Sequence, residues 1–211
     1  MTWRKGAGAR RHFVGIVKHN QSEGVSFQYL SAEKLIEAQA DGFSCYTEFP
    51  ELTKTYTDKV LEVFKQRLFR SERNDYKAFL DFWGIETKYK DDTLYLLAHT
   101  QGIVPTDNFE FLAHFQLTKD LKIVTEIAGL TYSKVSSSFL NIGDELEWKQ
   151  NTSKHDKFQV DLYKDNILLG HVKKVHSKLF YEKRAGNLKI KIKALDKNGI
   201  IKKAFIEIAN Q

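Results

Sequence analysis

Few residues in this sequence have the types and spacing that catalysis or metal binding requires. His171 and His176 lie five residues apart, which does not place two ligands on one helix face, and the sequence offers no third ligand nearby. The serine run at 136–138 lacks the glycines that surround a nucleophilic serine. Glu145 and Glu147 would share the solvated face of a predicted strand. We therefore expect a non-enzymatic protein without a metal site and without a cofactor.

Other chemistries also lack their sequence motifs. Gly6 and Gly8 do not follow a strand, no third glycine completes a dinucleotide-binding loop, and no Walker-type loop is present. Cys45 is the single cysteine, which excludes an internal disulfide and a thiolate pair for zinc. The sequence contains neither an apolar run of about 18 residues nor a secretory leader, so we expect a cytoplasmic protein.

Basic charge is concentrated in the second half of the chain. Residues 119–211 contain 18 Lys and Arg residues against 11 Asp and Glu residues, a net charge of +7, whereas residues 1–118 contain 15 against 16, a net charge of −1. This excess predicts a polyanionic partner for the second half. A lysine stripe at 189, 191 and 193 has two interpretations: a solvated face that discourages edge pairing, or a row that follows a phosphate backbone.

The second half is predicted to consist mostly of strands. Apolar and polar residues alternate over 158–163 and again over 188–194, which is the period of a half-buried strand. Asn198-Gly199 is a hairpin signal that connects the latter strand to another over 200–208. Residues 172–179 carry valine and leucine at helical spacing with lysines on the other faces. The simplest assembly is a small twisted barrel with one helix across its mouth.

The first half is predicted to mix strands and helices. Strands are expected over 13–18, 25–30, 43–46, 94–98 and 109–115, and helices over 31–40, 57–69 and 74–83. Residues 1–12 are basic and glycine-containing, which is typical of a flexible arm. The expected fold class is therefore α+β, with a basic arm at 1–12, an α+β domain at 13–118 and a mostly-β, barrel-like domain at 119–211.

Three stretches of residues 123–209 form a characteristic order: Glu126-Ile-Ala-Gly-Leu-Thr-Tyr-Ser, the polar loop that leads into the alternating strand, and Leu169-Gly-His-Val-Lys before the basic helix. This order resembles the HIRAN domain, a small DNA-binding barrel found in repair and remodelling enzymes. The family loop usually has the pattern Arg-Glu-Pro-Asn-Asn-x-Tyr-Asp. In this sequence the loop keeps an amide and the carboxylate, replaces Arg by Lys and Tyr by His, and lacks the proline.

The HIRAN resemblance implies a site for a single-stranded 3′ DNA end at the mouth of the barrel. It assigns DNA-binding roles to Tyr132, Lys149, Asn151, His155, Asp156, Lys173 and Lys174. Aromatic rings at 132 and 155 would stack on bases, the carboxylate of Asp156 would accept a hydrogen bond from the terminal hydroxyl, and the lysines would hold phosphates. Three residues have alternative interpretations: Asp156 as a turn cap, Tyr132 as half-buried core, and His155 as an exposed loop residue without a ligand.

Residues 13–116 resemble the N-terminal subdomain of HipA-type toxin kinases. The similar stretches include Val25-Ser-Phe-Gln-Tyr, Glu48-Phe-Pro and Phe109-Glu-Phe-Leu-Ala. No phosphate loop or catalytic Asp loop follows, and the remaining chain is too short for a kinase lobe. In some toxin–antitoxin systems such a subdomain is a free small protein that restrains a separate kinase. The resemblance therefore implies a HipA-type kinase or another protein as partner.

Three functional hypotheses follow from the sequence. The first is a non-enzymatic adaptor in which the HIRAN-like half binds DNA and the N-terminal half binds a protein partner, as in a toxin–antitoxin system. The second is a protein-interaction or structural module whose barrel has lost DNA binding through the changed loop. The third is a nuclease or other DNA-processing enzyme with an unrecognised site.

Overall fold

The computed structural model of the protein describes residues 1–6, 9–104, 107–152 and 157–211. These residues form two compact units. Unit 1 comprises Met1–Asp81 and Ile85–Ala113, and unit 2 comprises Phe82–Gly84 and His114–Gln211. The division falls between Ala113 and His114. The sequence predicted it slightly later, after residue 118.

Unit 1 contains two small antiparallel sheets and short helices. One sheet has the strand order β2-β1-β6 and the other β3-β4-β5. In chain order its elements are β1 Thr2–Trp3, β2 His12–Phe13, β3 Gly15–Asn20, β4 Gly24–Tyr29, α1 Ala32–Ala40, β5 Thr55–Tyr56, α2 Val60–Lys65, α3 Tyr76–Trp83, a 3-10 turn Thr87–Tyr89, α4 Thr93–Thr100 and β6 Phe109–Glu110. The expected α+β character is confirmed in this half.

Aromatic side chains fill the core of unit 1. Phe27 and Phe64 are fully buried, and their rings meet edge to face with centroids 5.5 Å apart. Phe111 continues this packing at 4.6 Å from Phe64. The hydroxyl of Tyr29 donates to the carbonyl of Phe49 at 2.7 Å, and burial raises its pKa above the usual tyrosine range. Each buried ring removes a large apolar area from water, which makes this cluster the main stabilising element of unit 1.

Several predicted elements of unit 1 differ from the structure. Residues 94–98, predicted as a strand, lie in helix α4, because the carboxylate of Asp92 accepts from the backbone N–H of Tyr95 and caps a helix there. A short apolar run does not distinguish a strand from a buried helix. Residues 43–46 form no strand, although Tyr46 and Phe49 make an isolated bridge. The strand predicted over 109–115 is limited to Phe109–Glu110.

The predicted flexible arm at 1–12 requires correction where the structure describes it. Thr2 and Trp3 pair with β2 on one side and with β6 on the other. The buried carboxylate of Glu110 contacts the guanidinium groups of Arg4 at 3.2 Å and Arg11 at 2.8 Å. Arg4 and Arg11, which suggested a solvated arm in the sequence, therefore neutralise the buried carboxylate of Glu110.

Unit 2 is built on one six-stranded antiparallel sheet with the strand order β10-β9-β8-β11-β12-β7. In chain order its elements are β7 Lys122–Glu126, α5 Leu130–Ser133, β8 Glu145–Asn151, β9 Gln159–Lys164, β10 Ile167–His171, α6 Lys174–Ser177, 3-10 turns Lys178–Tyr181 and Ala185–Asn187, β11 Leu188–Asn198 and β12 Ile200–Asn210. The sheet curls into a half-barrel. Its two edges meet at one point, where Ala128 and His171 exchange two backbone hydrogen bonds of 2.8 Å.

The concave side of this sheet is filled by the protein's own side chains. Val160, Leu162 and Ile190 project inward with no exposed surface, and Phe180 from the 3-10 turn after α6 is equally buried. The rings of Trp148 and Phe180 meet at 5.0 Å. The helix predicted over 172–179 is present as the short helix α6 and the 3-10 turn that follows it. None of the helices in the described part of the chain has the length and apolar character needed to cross a bilayer.

His176 makes unit 2 sensitive to acid. Neither ring nitrogen of His176 has a hydrogen-bond partner among the described residues, and the ring packs 5.7 Å from that of Phe115. Burial, followed by the nearby charges of Lys173 and His114, lowers the pKa of His176 to about 3. In the unfolded chain this histidine takes up a proton near its ordinary pKa of about 6.5. Because the unfolded state then binds more protons, stability is complete above that value and falls as the pH drops towards 3.

We expect the free energy of unfolding of unit 2 to fall by about 1 kcal/mol per pH unit below about pH 6.5 through His176 alone. The variant His176→Leu is expected to lose less stability than the wild type between about pH 7 and pH 5. Urea unfolding at these pH values measures the difference. His19→Gln, which changes an exposed histidine, is the control and is expected to follow the wild type. Parallel curves for wild type and His176→Leu would contradict the prediction.

Candidate functional site

The convex face of β8, β9 and β10 carries a row of polar side chains. Lys149 on β8 faces Asp161 on β9, and Asp161 in turn faces His171 on β10. Two register positions along, and so on the same face, Asn151 faces Gln159. Residues that face each other on paired strands project to the same side of a sheet. The five side chains therefore form one continuous surface on the outside of the half-barrel, which we call the polar cluster.

Asp161 is the centre of the polar cluster. Its carboxylate is almost completely buried and accepts three hydrogen bonds: from Asn151 Nδ2 at 2.6 Å, from Gln159 Nε2 at 2.7 Å, and from His171 Nδ1 at 2.8 Å. Burial by itself would raise the pKa of Asp161, but these three hydrogen bonds together lower it. The group is therefore a fixed carboxylate at neutral pH. Since a carboxylate only accepts, the Nδ1 atom of His171 carries a proton and Nε2 faces away from Asp161.

Tyr132 borders the polar cluster on its exposed side. The residue lies in the four-residue helix α5 and is 84% exposed, the most open of the large apolar side chains in the described chain. Gly129, at the start of α5, has a φ of +77°. A methyl group added at Gly129 would lie 3.4 Å from His171 Cδ2 and 3.9 Å from Tyr132 Cδ2. These are ordinary van der Waals distances, so both rings lie beside Gly129, and the positive φ is what favours glycine at this position.

A second aromatic group lies at the base of the β8–β9 connection. The hydroxyl of Tyr181 lies 3.1 Å from the carbonyl oxygen of Asn151 and 2.8 Å from that of Gln159. The ring of Phe158 stands edge-on to Tyr181 at 5.2 Å, and the ammonium of Lys178 lies 5.4 Å from the centre of the Phe158 ring. Aromatic rings with adjacent cations are the groups that bind single-stranded nucleic acid.

The structure brings together some of the predicted DNA-binding residues. Lys149 and Asn151 belong to the polar cluster, and Tyr132 borders it. Lys174 is exposed at the start of α6. His155 and Asp156 lie outside the described residues, so their predicted roles stay predictions.

Lys173 requires a correction. Its side chain is only 4% exposed, and its ammonium lies 3.7 Å from a carboxylate oxygen of Glu126 on β7. Lys173 immediately precedes α6, and the helix is held against the sheet by the buried side chains of Val172 and Val175, which turns this lysine inward. A buried cation that is already paired with a carboxylate is not available to a phosphate. The helical spacing of the valines and lysines in the sequence did not predict that Lys173 is buried.

Three members of the polar cluster were not predicted from the sequence: Gln159, Asp161 and His171. The alternation over 158–163 already placed Gln159 and Asp161 on the solvent side of a strand, but it gave no reason to pair them with His171. His171 was considered only as a metal ligand. Among the described residues, no group of three or more His, Cys, Asp and Glu side chains is arranged to hold a metal ion.

Phe180 and its neighbours fill the interior of the sheet, whereas the polar cluster lies on its outer face. The nucleotide site expected at the barrel mouth stays a prediction. The lysine stripe is partly engaged, because Lys189 pairs with Glu145 at 3.1 Å and Lys193 with Glu207 at 3.0 Å. These ion pairs favour the interpretation of the stripe as a solvated face.

No family model matches the chain, and neither the curated proteins nor the solved structures include one that matches it. Function must therefore be inferred from the surface itself, which combines an exposed aromatic ring, a fixed polar cluster and a net charge of +7 on unit 2.

Proposed function

We propose that the protein is a non-enzymatic cytoplasmic adaptor whose unit 2 binds DNA, with a single-stranded 3′ end as the preferred ligand. The exposed ring of Tyr132 beside the polar cluster is the observation that carries this proposal. Stacking of a base on an aromatic side chain contributes about 1–3 kcal/mol and tolerates any sequence. The basic excess of unit 2 supplies the electrostatic attraction to phosphates.

We further infer that unit 2 is a HIRAN-like domain. The succession of a strand, the Tyr132 segment, an alternating strand, a glycine-containing strand and a basic helix supports this inference. Within it, Tyr132 and His155 stack on bases, and Lys149 and Lys174 contact phosphates. Asp156 accepts a hydrogen bond from the terminal hydroxyl. A phosphorylated end cannot donate this hydrogen bond in the same way, and the carboxylate of Asp156 would repel its negative charge.

The test is the affinity of Tyr132→Ala for a single-stranded oligonucleotide with a 3′ hydroxyl, measured by fluorescence anisotropy. We expect a loss of about tenfold to a hundredfold, because one stacked base is given up. Stability is expected to be unchanged, since the side chain is exposed. Tyr132→Phe keeps the ring and is expected to bind like the wild type.

Ile142→Ala provides a matched control, because Ile142 is also a largely exposed apolar side chain of unit 2. It is expected to bind like the wild type. A 3′-phosphorylated oligonucleotide is expected to bind more weakly than the hydroxyl form, and binding of both is expected to weaken as salt rises. Equal affinity of Tyr132→Ala and the wild type would contradict the proposal. Persistence of an intact labelled strand in the presence of magnesium is expected for a non-enzymatic protein.

Unit 1 is proposed to bind the protein partner of the adaptor, a HipA-type kinase. The resemblance of its sequence to the kinase subdomain suggests this, and its exposed side chains of Phe13, Ile16 and Ile36 support a protein contact. Co-expression with such a kinase followed by purification of one chain tests the contact. A complex that forms while DNA binding is absent would favour the alternative, a pure protein-interaction module.

A further inference from the structure

Strand β3 forms one edge of the sheet β3-β4-β5 in unit 1. It spans Gly15–Asn20, and β4 is its only partner among the described strands. Along an antiparallel edge strand, the backbone N–H and C=O groups point alternately to the paired side and to the open side. The residues that point to the open side determine whether a further strand can bind there.

Two sets of hydrogen bonds show which residues of β3 point to the open side. The backbone N–H of Leu30 on the β4 side donates to the carbonyl oxygen of Val14 at 3.0 Å, so the even-numbered residues of β3 bond to β4. The odd-numbered residues point away from β4. Met1 agrees with this assignment, because its amino group donates to the carbonyl oxygen of Gly15 at 2.7 Å and its carbonyl oxygen accepts from the N–H of Gly15 at 3.3 Å.

Beyond this first pair, the open side of β3 is accessible. The backbone groups of Val17 and His19 have no hydrogen-bond partner on that side among the residues that the structure describes. The side chains of Ile16, Lys18 and His19 are exposed. The accessible edge is therefore about five residues long, with Met1 at one end and the turn at 21–23 at the other.

We propose that an extended segment of the partner protein adds to unit 1 as a strand along β3, with an acidic residue opposite Lys18. The inference rests on the proposed protein contact of unit 1 and adds to it the mode of binding and the chemistry of the partner segment. Val17 and His19 each exchange their N–H and C=O groups with the added strand. In binding of this kind the main-chain hydrogen bonds provide affinity, and the side chains that face each other provide specificity.

The side chains of β3 define which residues the added strand carries. The strand contains one lysine and no acid, and Lys18 has no ion pair among the described residues. The residue opposite Lys18 forms a pair without mutual hydrogen bonds, where side chains approach most closely and opposite charges attract. Val17 packs against the core of unit 1, and Ile16 is 40% exposed, so apolar residues fit opposite both.

A second copy of the chain fits this edge less well. Two antiparallel β3 strands centred on Lys18 would place two ammonium groups directly opposite each other, which is destabilising. Pairing centred on Val17 would bring His19 opposite Gly15, whose backbone groups Met1 already occupies. Pairing centred on His19 would extend into the turn at 21–23. A partner segment with an acidic residue meets none of these obstacles.

The test titrates nitrogen-15-labelled protein with the capped peptide Thr-Val-Glu-Val-Ile and follows the backbone amides by nuclear magnetic resonance. Bound antiparallel, this peptide places its glutamate opposite Lys18 and its isoleucine opposite Ile16. We expect the amide signals of Val17 and His19 to shift and their exchange with solvent to slow. Unchanged signals at both amides would overturn the proposal.

His19→Pro removes one outward N–H and leaves the hydrogen bonds to β4 intact, because position 19 does not donate to β4. We expect it to bind the peptide about tenfold more weakly. His19→Ala retains the N–H group and is the matched control, expected to bind like the wild type. A thermal unfolding curve shows that His19→Pro is folded. Equal affinity of the two variants would contradict strand addition.

Lys18→Glu tests the charge of the partner segment by a second route. We expect this variant to bind Thr-Val-Glu-Val-Ile about fivefold more weakly than the wild type and to prefer Thr-Val-Lys-Val-Ile by a similar factor. A preference that reverses with the charge cannot result from misfolding. Equal binding of both peptides by the wild type would overturn the acidic partner.

The remaining outcomes separate this inference from the proposed function. If a HipA-type kinase co-purifies equally with the wild type and with His19→Pro, strand addition is wrong and the kinase contact stands. If no kinase co-purifies but the peptide binds at Val17 and His19, the kinase contact is wrong and strand addition stands. A wild-type dimer that His19→Pro loses, measured by analytical ultracentrifugation, would assign the edge to a second copy and overturn the proposal.

Discussion

Replacing Gly170 by alanine is expected to destabilise unit 2 by about 3 kcal/mol and to abolish the nucleic-acid binding that we propose for it. Gly170 has a φ of +155°, a conformation that residues with a side chain rarely adopt. A methyl group at this position would overlap the carbonyl oxygen of Ala128 and approach Ile127 Cγ2 to 2.8 Å. Both the backbone strain and the overlap have to be relieved by moving the chain.

The movement would occur where the two edges of the sheet meet. Ala128 exchanges its two backbone hydrogen bonds with His171, the residue after Gly170. Displacing that pair separates β10 from the segment that leads into α5. The rings of His171 and Tyr132 would then no longer both lie next to Gly129. Loss of stability and loss of binding are therefore expected together.

Two control glycines separate the contributions to this effect. Gly143 has a φ of +91° but open space around it, so Gly143→Ala reports the cost of backbone strain alone. Gly186 has neither a positive φ nor a neighbour within reach, so Gly186→Ala is expected to be nearly neutral. Urea unfolding of all three variants measures the order, with Gly170→Ala the least stable. Equal stability of Gly170→Ala and Gly143→Ala would show that the close approach to Ala128 is unimportant.

The strands of unit 2 could be predicted from the sequence because they are half-buried. Alternation over 158–163 and 188–194 reports a strand with one face inside, and the turn residues Asn198 and Gly199 report the connection to β12. These signals are local. The apolar run at 94–98 is continuous, and its pattern predicted a strand where the structure has helix α4. Only the cap at Asp92 distinguishes the helix from the strand.

The polar cluster could not be predicted in the same way, because it depends on register across three strands. Asp161 and His171 are opposite each other only after a register shift between Leu168 and Gly170. Without that irregularity His171 would face a different residue of β9. Asn151 on β8 donates to Asp161 on β9, and no local sequence pattern fixes the register in which β8 and β9 pair. Burial of Lys173 is likewise set by the packing of α6 and not by its own sequence.

Arg67→Met is expected to have the largest effect on unit 1. The Arg67 side chain is 4% exposed, and its guanidinium forms a two-pronged pair with Asp107. It also donates to the carbonyl of Gly102 at 2.9 Å and to that of Phe109 at 3.0 Å. Burial would lower the pKa of Arg67, but the hydrogen bonds with Asp107 and Tyr46 raise it. One planar cation thus satisfies acceptors that lie far from it in the sequence.

Removing this guanidinium breaks its hydrogen bonds to two carbonyl groups and to the carboxylate of Asp107, which keeps the backbone N–H of Phe109 as a donor. We expect a loss of about 3 kcal/mol. Arg67→Lys keeps the charge but not the planar fork, so an intermediate loss is expected. Arg73→Met is the matched control, because Arg73 pairs with Asp75 at 3.0 Å on the open surface, where water replaces the contact. Urea unfolding should leave Arg73→Met at the wild-type midpoint and move Arg67→Met well below it. Because the change lies in unit 1, oligonucleotide binding by Arg67→Met under conditions where unit 2 remains folded is expected to equal that of the wild type.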